Sequence, residues 1–263
     1  MKNIRNSFFC GLCFTIIFFS AGCKKIEDKK PFSLNTLQPV WVKKNGAEIF
    51  QLWEFGNALY LWDTNFVEPQ AIKSYKDSVC TLLGRDSFLD IVKALSLQDK
   101  SYVSVHTQNG DSINAQLVHA NVAGRIRPIN YLEAQLLSYQ LNRYPLLSHP
   151  TEFHGFVLVH DALQKVRVYF AASDAPWPPK PGMIIDAVQY DLKKGWTFKT
   201  HLHNHYEPKT NNYLGILAPS MTDAQFYHWL SEEYRLQQAV ITNGLHAVEI
   251  DRSDFYKLKL PPE

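Results

Sequence analysis

The feature that most constrains the fold is an alternation of helix and strand patterns that begins near residue 125. YLEAQLLSYQLNRY, residues 131 to 144, is strongly helical and is followed by Pro145, which ends helices. Strand-like runs follow at HGFVLVH and KVRVYFAA, then at MIIDAVQYD and WTFKTHLHNH beyond a Pro-rich loop. MTDAQFYHWLSEEYRLQ predicts a helix, and AVITNGLHAVEID a closing strand pair. Residues 125 to 263 are thus predicted to form a mixed β-sheet flanked by helices, in the α+β or mixed α/β class.

Residues 37 to 124 have a different pattern, which predicts a small β-rich domain. VWVKKNGAEIFQLWEF places two apolar runs around Asn45-Gly46, the strongest short signal for a hairpin, and ALYLWD follows as a further strand. YVSVHTQNGDSINAQLVHA repeats the hairpin pattern around Asn109-Gly110, whereas FLDIVKALSL fits either a helix or an irregular strand. This run of short strands resembles the lipocalin-like β domains of bacterial lipoproteins.

The N-terminus has the organisation of a secretory signal. Lys2 and Arg5 form a positively charged start, and residues 8 to 19 supply an apolar core that is too short for a spanning helix. Ser-Ala-Gly then leads to Cys23, and this ending resembles the bacterial lipobox, in which the cysteine becomes the lipidated first residue. Residues 1 to 22 are therefore predicted to be a lipoprotein signal peptide.

A lipid on Cys23 would anchor the protein in the bacterial cell envelope, at the outer membrane, facing the periplasm or the exterior. The polar run KKIEDKKP predicts a solvated tether over residues 23 to 36. Of the four cysteines, Cys80 alone lies beyond Cys23, which excludes a disulfide scaffold and a Cys-ligated zinc site. A net charge of +2 gives no indication of a nucleic-acid partner.

The segment THLHNHYEPKTNNYLGILAPSMTDAQF contains the residues most suited to binding a metal. His201, His203 and His205 alternate along a predicted strand, so their side chains share one face. Histidine is a common zinc ligand, and two imidazoles at i and i+2 near a strand end can reach one ion. The spacing admits either His203 with His205 or His201 with His203.

Ser220 and Asp223 follow at the predicted start of a helix. Ser is typical of an N-cap, and Asp in the first turn suits the helix dipole, so both residues have a purely structural interpretation. A helix that starts near the end of the His-x-His strand can also bring a carboxylate to the same ion. Two histidines and one aspartate leave a fourth position for water, as in catalytic zinc sites.

Upstream, PTEFHGFVLVH places Glu152 at the entrance to an apolar strand. The order Glu152-x-x-Gly155-hydrophobic, His-x-His and Ser220-x-x-Asp223 resembles the JAMM motif of JAB/MPN metalloproteases. The resemblance covers residues 128 to 255, and all motif elements occur in the order that the family has.

The resemblance implies a JAB/MPN fold, related to that of cytidine deaminases, and a zinc-dependent peptidase or isopeptidase. It implies that His203, His205 and Asp223 bind Zn²⁺. It also implies that Glu152 accepts the proton of the zinc-bound water, and that Ser220 helps to stabilise the oxyanion of the tetrahedral intermediate. The expected substrate is a peptide or isopeptide bond in an envelope or extracellular protein.

Two departures leave alternatives open. Tyr206 stands where the family has Pro, and YEPKTNNYLGILAP makes the gap before Ser220 longer than usual. His201 therefore remains an alternative ligand, paired with His203. The second functional alternative is a catalytically silent JAB-like binding module. An amidohydrolase-like barrel is disfavoured because too few residues follow His205, and an HNH nuclease because a basic groove is not indicated.

The remaining histidines have no pattern that pairs them with other ligands. They are expected to lie at the surface or in the core with ordinary hydrogen bonds: His154, His160, His228 and His246.

Overall fold

An eight-stranded mixed sheet forms the centre of the protein. The computed structural model describes residues 33–56, 58–83, 105–205 and 216–262. The strands are β1 (Trp41–Asn45), β2 (Glu48–Gly56), β3 (Arg125–Pro128), β4 (Phe153–His160), β5 (Lys165–Ala172), β6 (Thr197–Asn204), β7 (Gln238–Thr242) and β8 (His246–Asp251). They lie in the order β1-β2-β5-β4-β6-β7-β8-β3.

Strands β6 and β7, in the interior of the sheet, differ from the other neighbouring strands in their direction. These two strands run parallel, whereas all other neighbouring strands pair antiparallel. The connection between them contains a helix, Met221–Tyr234, as parallel strands require a crossover. The carboxyl ends of β6 and β7 therefore lie side by side.

Helices cover both faces of the sheet. They are α1 (Gln70–Leu83), α2 (Val105–His119), α3 (Tyr131–Arg143), α4 (Gly182–Leu192) and α5 (Met221–Tyr234). Helices α2, α4 and α5 share a buried apolar cluster with Phe156 and Phe198 on one face. Helix α3 packs on the other face, where the ring of Tyr139 lies 5.2 Å from Trp53 and 5.4 Å from Phe170, centroid to centroid.

Most predicted elements beyond residue 125 are confirmed. Helix α3 starts at a capping box, in which the side chains of Asn130 and Glu133 each accept a hydrogen bond from the other's backbone N–H, and it ends before Pro145. Strands β4, β5 and β6, helix α5 and the β7–β8 pair follow the predicted order. The prediction of a mixed sheet flanked by helices is confirmed, and so is the β1–β2 hairpin.

Two strand predictions from apolar runs are wrong. MIIDAVQYD lies within α4, whose buried residues Ile184, Ile185 and Val188 have the i, i+1, i+4 spacing of a helix face. ALYLWD contains a 3-10 helix, Leu59–Trp62, in which Leu61 is the buried residue. Both runs are apolar and short, and such runs do not distinguish helix from strand by periodicity alone.

The second predicted hairpin is also wrong, because Asn109-Gly110 lies inside α2. Gly110 faces helix α5: a Cβ atom at this position would come within 1.9 Å of the Met221 sulfur. The next residue, Asp111, accepts a hydrogen bond from the Met221 N–H at 2.7 Å. The glycine therefore allows close approach of two helices, where the sequence indicated a turn.

The predicted separate β-rich domain over residues 37 to 124 is wrong for the described part of the chain. Strand β2 pairs along its length with β5, so β1 and β2 extend the same sheet that contains the later strands. The described residues from Ser33 onward form one compact unit. The resemblance to lipocalin-like domains has no support in this topology, since that segment contributes two strands and two helices to the common fold.

The end of the predicted tether needs a correction. Leu34 is buried, and its N–H donates to the Gln135 side chain at 3.3 Å, so the chain is already attached to the domain at Leu34, before the predicted end of the tether. The predicted signal peptide, Cys23, the rest of the tether and FLDIVKALSL lie outside the described residues. Within the part of the chain that is described, no helix combines the length and the apolar character needed to cross a membrane.

Candidate metal centre

Strand β6 places three histidines on one side of the sheet. His201 and His203 alternate near its carboxyl end, and His205 follows directly after the strand. Because β6 is an interior strand between β4 and β7, its side chains point to the two faces of the sheet. On this face the imidazoles are buried against helix α5, where His203 contacts Tyr227.

The first turn of α5 brings Asp223 to these histidines. Ser220 is the N-cap: its Oγ accepts a hydrogen bond from the Asp223 N–H at 3.1 Å, and the Asp223 carboxylate accepts one from the Ser220 N–H at 2.8 Å. This capping box fixes the carboxylate at the helix start, where the helix dipole favours negative charge. The N-cap interpretation of this pair is confirmed, and the same geometry directs the carboxylate toward the imidazoles.

The donor atoms of His203, His205 and Asp223 converge on one point. The two Nε2 atoms are 3.0 Å apart. Oδ2 of Asp223 lies 3.2 Å from Nε2 of His205, and Oδ1 lies 3.5 Å from Nε2 of His203. All three donor atoms lie within 4.8 Å of one another, so this group could hold a metal ion.

The hydrogen bonds of His205 determine which nitrogen faces the carboxylate. Its Nδ1 lies 2.8 Å from the carbonyl oxygen of Ile216, which can only accept, so Nδ1 carries the hydrogen. In the neutral ring Nε2 then has a lone pair and faces an oxygen of Asp223, a second acceptor. Two acceptors at this distance repel each other unless a cation satisfies both, and a metal ion or a proton on Nε2 does so. A backbone carbonyl on the far nitrogen is also typical of metal-binding histidines.

Burial sets the protonation states of the other two donors. It lowers the pKa of His203 to about 3, against the opposing effect of Asp223. Burial also disfavours the charged form of Asp223, but the facing imidazoles and hydrogen bonds from His205 and Ser220 outweigh it and hold the pKa below its ordinary value. A neutral imidazole and an ionised carboxylate are the forms that bind metals.

The antiparallel pairing of β4 with β6 determines where Glu152 lies. His154 is opposite His203, the last pair of this ladder, and Glu152 directly precedes β4, whose start lies beside the end of β6. Asn204 fixes the chain there: its Oδ1 accepts from the Phe153 N–H and its Nδ2 donates to the carbonyl of residue 151, both at 2.9 Å. Glu152 is therefore held at the same strand ends as the candidate ligands.

The electrostatics of Tyr227 support this position for Glu152. Burial raises the pKa of the Tyr227 hydroxyl well above its usual value, and the negative charges of Asp223 and Glu152 raise it further. The same hydroxyl lies 3.3 Å from Nδ1 of His203. Both carboxylates thus act on a group that contacts a candidate ligand.

Ser220 is close to the donors but its hydroxyl is engaged. Its Oγ donates to Oδ2 of Asp223 at 2.7 Å while accepting from the backbone N–H of the same residue. In this arrangement Ser220 orients the carboxylate. The hydroxyl hydrogen would have to rotate away from Asp223 to reach a substrate oxygen.

His201 is not part of the group whose donors converge. Its Nε2 lies 2.9 Å from Nδ1 of His154, and its Nδ1 has no hydrogen-bond partner among the described residues. The ring is surrounded by Phe156, Phe226 and Tyr227. The geometry therefore favours the His203 and His205 pair over the His201 and His203 pair.

Sequence reasoning missed several residues that surround the donors. His154, which the sequence predicts to be an ordinary histidine, pairs with His201 below the three converging donors. Tyr227 and the carbonyl of Ile216 each contact the far nitrogen of one imidazole. Position in the α5 helix could have indicated Tyr227, since it is one turn beyond Asp223.

Comparisons with protein-family models, with curated protein sequences and with solved structures found no match. The fold and the site thus define a mixed α/β protein with a buried two-histidine, one-aspartate group at the carboxyl ends of a parallel strand pair.

Proposed function

We propose that the protein is a membrane-anchored, zinc-dependent peptidase or isopeptidase of the JAMM type, with a JAB/MPN-like fold. The observation that carries this proposal is the convergence of His203, His205 and Asp223. Glu152 directly precedes β4, and its charge acts on Tyr227, which contacts His203. These residues match the motif in identity and in order along the chain.

The donor set favours zinc over harder cations. Two imidazole nitrogens and one carboxylate suit Zn²⁺, whereas Ca²⁺ and Mg²⁺ prefer oxygen ligands. Three protein ligands also leave a coordination position for water or substrate. His203 and His205 have their far nitrogens in contact with a tyrosine hydroxyl and a backbone carbonyl, which orients both rings for binding.

In the proposed reaction the chain's own residues move the protons. Bound zinc would supply a Lewis acid that polarises the substrate carbonyl and lowers the pKa of a water to about 7. Glu152 would accept a proton from the attacking water, whose oxygen would bond to the carbonyl carbon. Glu152 then passes the proton to the amine that leaves when the carbon–nitrogen bond breaks. Ser220 donates a hydrogen bond to the carbonyl oxygen as negative charge develops there.

The test combines metal content with hydrolysis. Protein purified with added zinc and without chelators should contain about one zinc per chain. Glu152→Gln should keep that zinc and lose cleavage of a peptide library, because the amide cannot accept the proton. Glu232→Gln, an exposed substitution on α5, is the matched control and should retain both properties. Absence of zinc from the parent protein would contradict the proposal.

The engaged hydroxyl of Ser220 favours the second candidate, a catalytically silent binding module. Such a module would bind zinc without hydrolysing any library member, and Ser220→Ala would weaken zinc binding only. Under the peptidase proposal, Ser220→Ala lowers kcat while zinc content is kept.

Membrane anchoring rests on the lipobox-like sequence at Cys23. Two or three acyl chains on this residue would give stable attachment to the bilayer. Cys23→Ser should release the protein from the membrane fraction and abolish incorporation of labelled palmitate. Unchanged labelling would contradict this part of the proposal.

A further inference from the structure

Exposed apolar side chains are grouped in the segment that follows β2. Leu59 is 78% exposed and Val67 is 82% exposed, the two highest values among the large apolar side chains of the described residues. Such side chains are normal at a surface when they are scattered, whereas a group of them indicates an interaction surface. We call Leu59, Tyr60 and Val67 the apolar patch.

The start of α3 brings the members of the apolar patch together. The ring of Tyr131 lies 6.0 Å from that of Tyr60 and 5.5 Å from that of Phe66, which directly precedes Val67. The Tyr131 N–H also donates to the carbonyl oxygen of Asp63 at 2.8 Å. Both parts of the segment are thus held around one tyrosine, and the apolar patch is one surface.

The chain that leads from Cys23 joins the domain beside the apolar patch. The Leu34 N–H donates to the side chain of Gln135, which lies one helical turn after Tyr131 on the same face of α3. The residues between Cys23 and Leu34 span at most about 40 Å when they are fully extended. A lipid on Cys23 would therefore hold this side of the domain nearest to the bilayer.

The apolar patch lies at the end of the sheet that is opposite to the candidate metal centre. Leu59 borders a cleft that is also lined by Val159, near the end of β4, and by Thr197, the first residue of β6. The candidate donors on β6 lie at the carboxyl end of that strand. The length of β6, roughly 20 Å at the usual rise per residue, separates this cleft from them.

We infer that the apolar patch rests on the lipid bilayer when the protein is anchored, so that the candidate metal centre faces the aqueous phase. This inference rests on the proposed function, which places a lipid on Cys23. Tyrosine is enriched at membrane interfaces, and leucine and valine side chains are stabilised by burial among acyl chains. Substrates therefore reach the centre from solution rather than from within the bilayer.

The charges beside the apolar patch indicate that the contact is apolar. Glu68 directly follows Val67 and forms an ion pair with Lys76. Because this cation is already paired with a carboxylate, the contact depends on buried apolar area, and the proportion of anionic lipid should have little effect on it.

Photolabelling from the bilayer tests the contact directly. The full-length protein is reconstituted in vesicles of phosphatidylethanolamine and phosphatidylglycerol that contain a phospholipid with a diazirine on its acyl chain. Mass spectrometry then identifies the labelled peptides, and the peptide that contains Leu59 and Val67 should be among them. Leu59→Ser combined with Val67→Ser should reduce this labelling at least about tenfold, since two aliphatic side chains no longer gain from burial. A lower fraction of phosphatidylglycerol should leave the labelling unchanged.

Trp177 provides the matched control. Its side chain is 73% exposed, and its carbonyl oxygen accepts a hydrogen bond from the Ser173 hydroxyl just beyond β5. The end of β5 pairs with the start of β4, so Trp177 follows the end of the sheet at which the donors lie. The peptide that contains Trp177 should stay unlabelled, and Trp177→Ser should leave the labelling of the apolar patch unchanged.

The outcomes separate this inference from the proposed anchoring, and neither readout depends on zinc or hydrolysis. If labelled palmitate is incorporated at Cys23 but the apolar patch is unlabelled, the anchor stands and the inference is overturned. Labelling of the Trp177 peptide as strong as that of the patch also overturns it. If vesicle-bound protein is labelled at the patch without palmitate, the inference stands and the proposed anchor fails. If neither signal is found, both fail.

Other occupants of the apolar patch would give different results. A concentration-dependent dimer that the double substitution abolishes would assign the patch to a second copy of the chain. A lower thermal unfolding temperature of the double variant in the absence of vesicles would assign it to another segment of the same chain. Either result overturns the inference.

Discussion

Two pairs of histidines lie side by side on the same face of the sheet, and they differ in their partners. In the first pair the nitrogens of His203 and His205 are 3.0 Å apart, and in the second those of His154 and His201 are 2.9 Å apart. The first pair faces the carboxylate of Asp223, whereas aromatic rings surround the second. Close imidazoles alone therefore do not define a metal site.

The difference arises from the helix that covers each pair. The first turn of α5 lies over the strand end and supplies a carboxylate, an N-cap and a helix dipole. One turn later the same helix supplies Phe226 and Tyr227, which exclude water from His201. The first position has donors that could hold a cation, whereas the second is a hydrogen-bonded pair of imidazoles enclosed by aromatic rings.

The largest expected effect is on zinc content: substituting a histidine of the first pair should abolish zinc binding, and substituting one of the second pair should not. His205→Ala removes a donor from the converging group, so zinc content should fall from about one per chain to nearly none. His201→Ala, the matched control on the same strand, should retain zinc once circular dichroism confirms that it is folded. Elemental analysis of both purified variants measures the zinc content per chain. The reverse pattern would shift the ligand set by two residues along β6.

The second prediction concerns the carboxylate that distinguishes the two pairs. Asp223→Asn keeps the size and the capping acceptor but removes the charge. Zinc affinity, measured by competition with a chromogenic chelator, should fall by at least about 100-fold. Loss of a residue that only hydrogen-bonds to a ligand lowers metal affinity by about 10- to 100-fold, and loss of a charged ligand should cost at least as much. An affinity within a few fold of the parent value would mean that the carboxylate acts only as a helix cap.

A smaller effect is expected from the tyrosine above His203. Tyr227→Phe removes the hydroxyl that lies 3.3 Å from Nδ1 of His203, while keeping the ring. Zinc affinity should fall by about tenfold, since outer hydrogen bonds orient imidazole ligands. His154→Phe, which alters the second pair, is the comparison and should leave the affinity unchanged. Equal losses in both variants would indicate that the two pairs form one coupled unit.

The smallest effect concerns acid stability of the zinc-free protein. Burial lowers the pKa of His154 from 6.5 to about 4, so the ring is neutral in the folded state at a pH where the unfolded chain binds a proton. The free energy of unfolding should therefore be highest above pH 6.5 and decrease as the pH falls toward 4. His154→Phe should make this decrease shallower in urea titrations. A slope identical to that of the parent would show that His154 is already charged in the folded protein.

The candidate donors could be predicted from the sequence because their geometry is local. Alternation along a strand places His203 and His205 on one face, and the Ser220-x-x-Asp223 pattern marks the start of a helix. The partners of these donors depend on tertiary contacts. The pairing of His154 with His201 requires the β4–β6 register, which no short segment encodes.

The N-terminal half shows the same limit in the fold. Asn45-Gly46 and Asn109-Gly110 are identical dipeptides, yet the first forms a hairpin turn and the second lies within a helix. Gly46 has a positive φ of 59°, as the turn requires, whereas Gly110 is needed for contact with Met221. The dipeptide alone does not indicate whether the glycine is present for its positive φ or for its lack of a Cβ atom.

The contact between Asp111 and the Met221 N–H has a consequence for the order of assembly. It joins residues 110 positions apart and holds the start of α5, the turn that carries the candidate carboxylate. A nascent or unfolded chain has the histidines but not the aspartate beside them, and such chains rarely contain a preformed site. If the group holds a metal ion, the complete donor set would therefore form only once α2 and α5 have packed together, and metal binding would follow folding of this part of the chain.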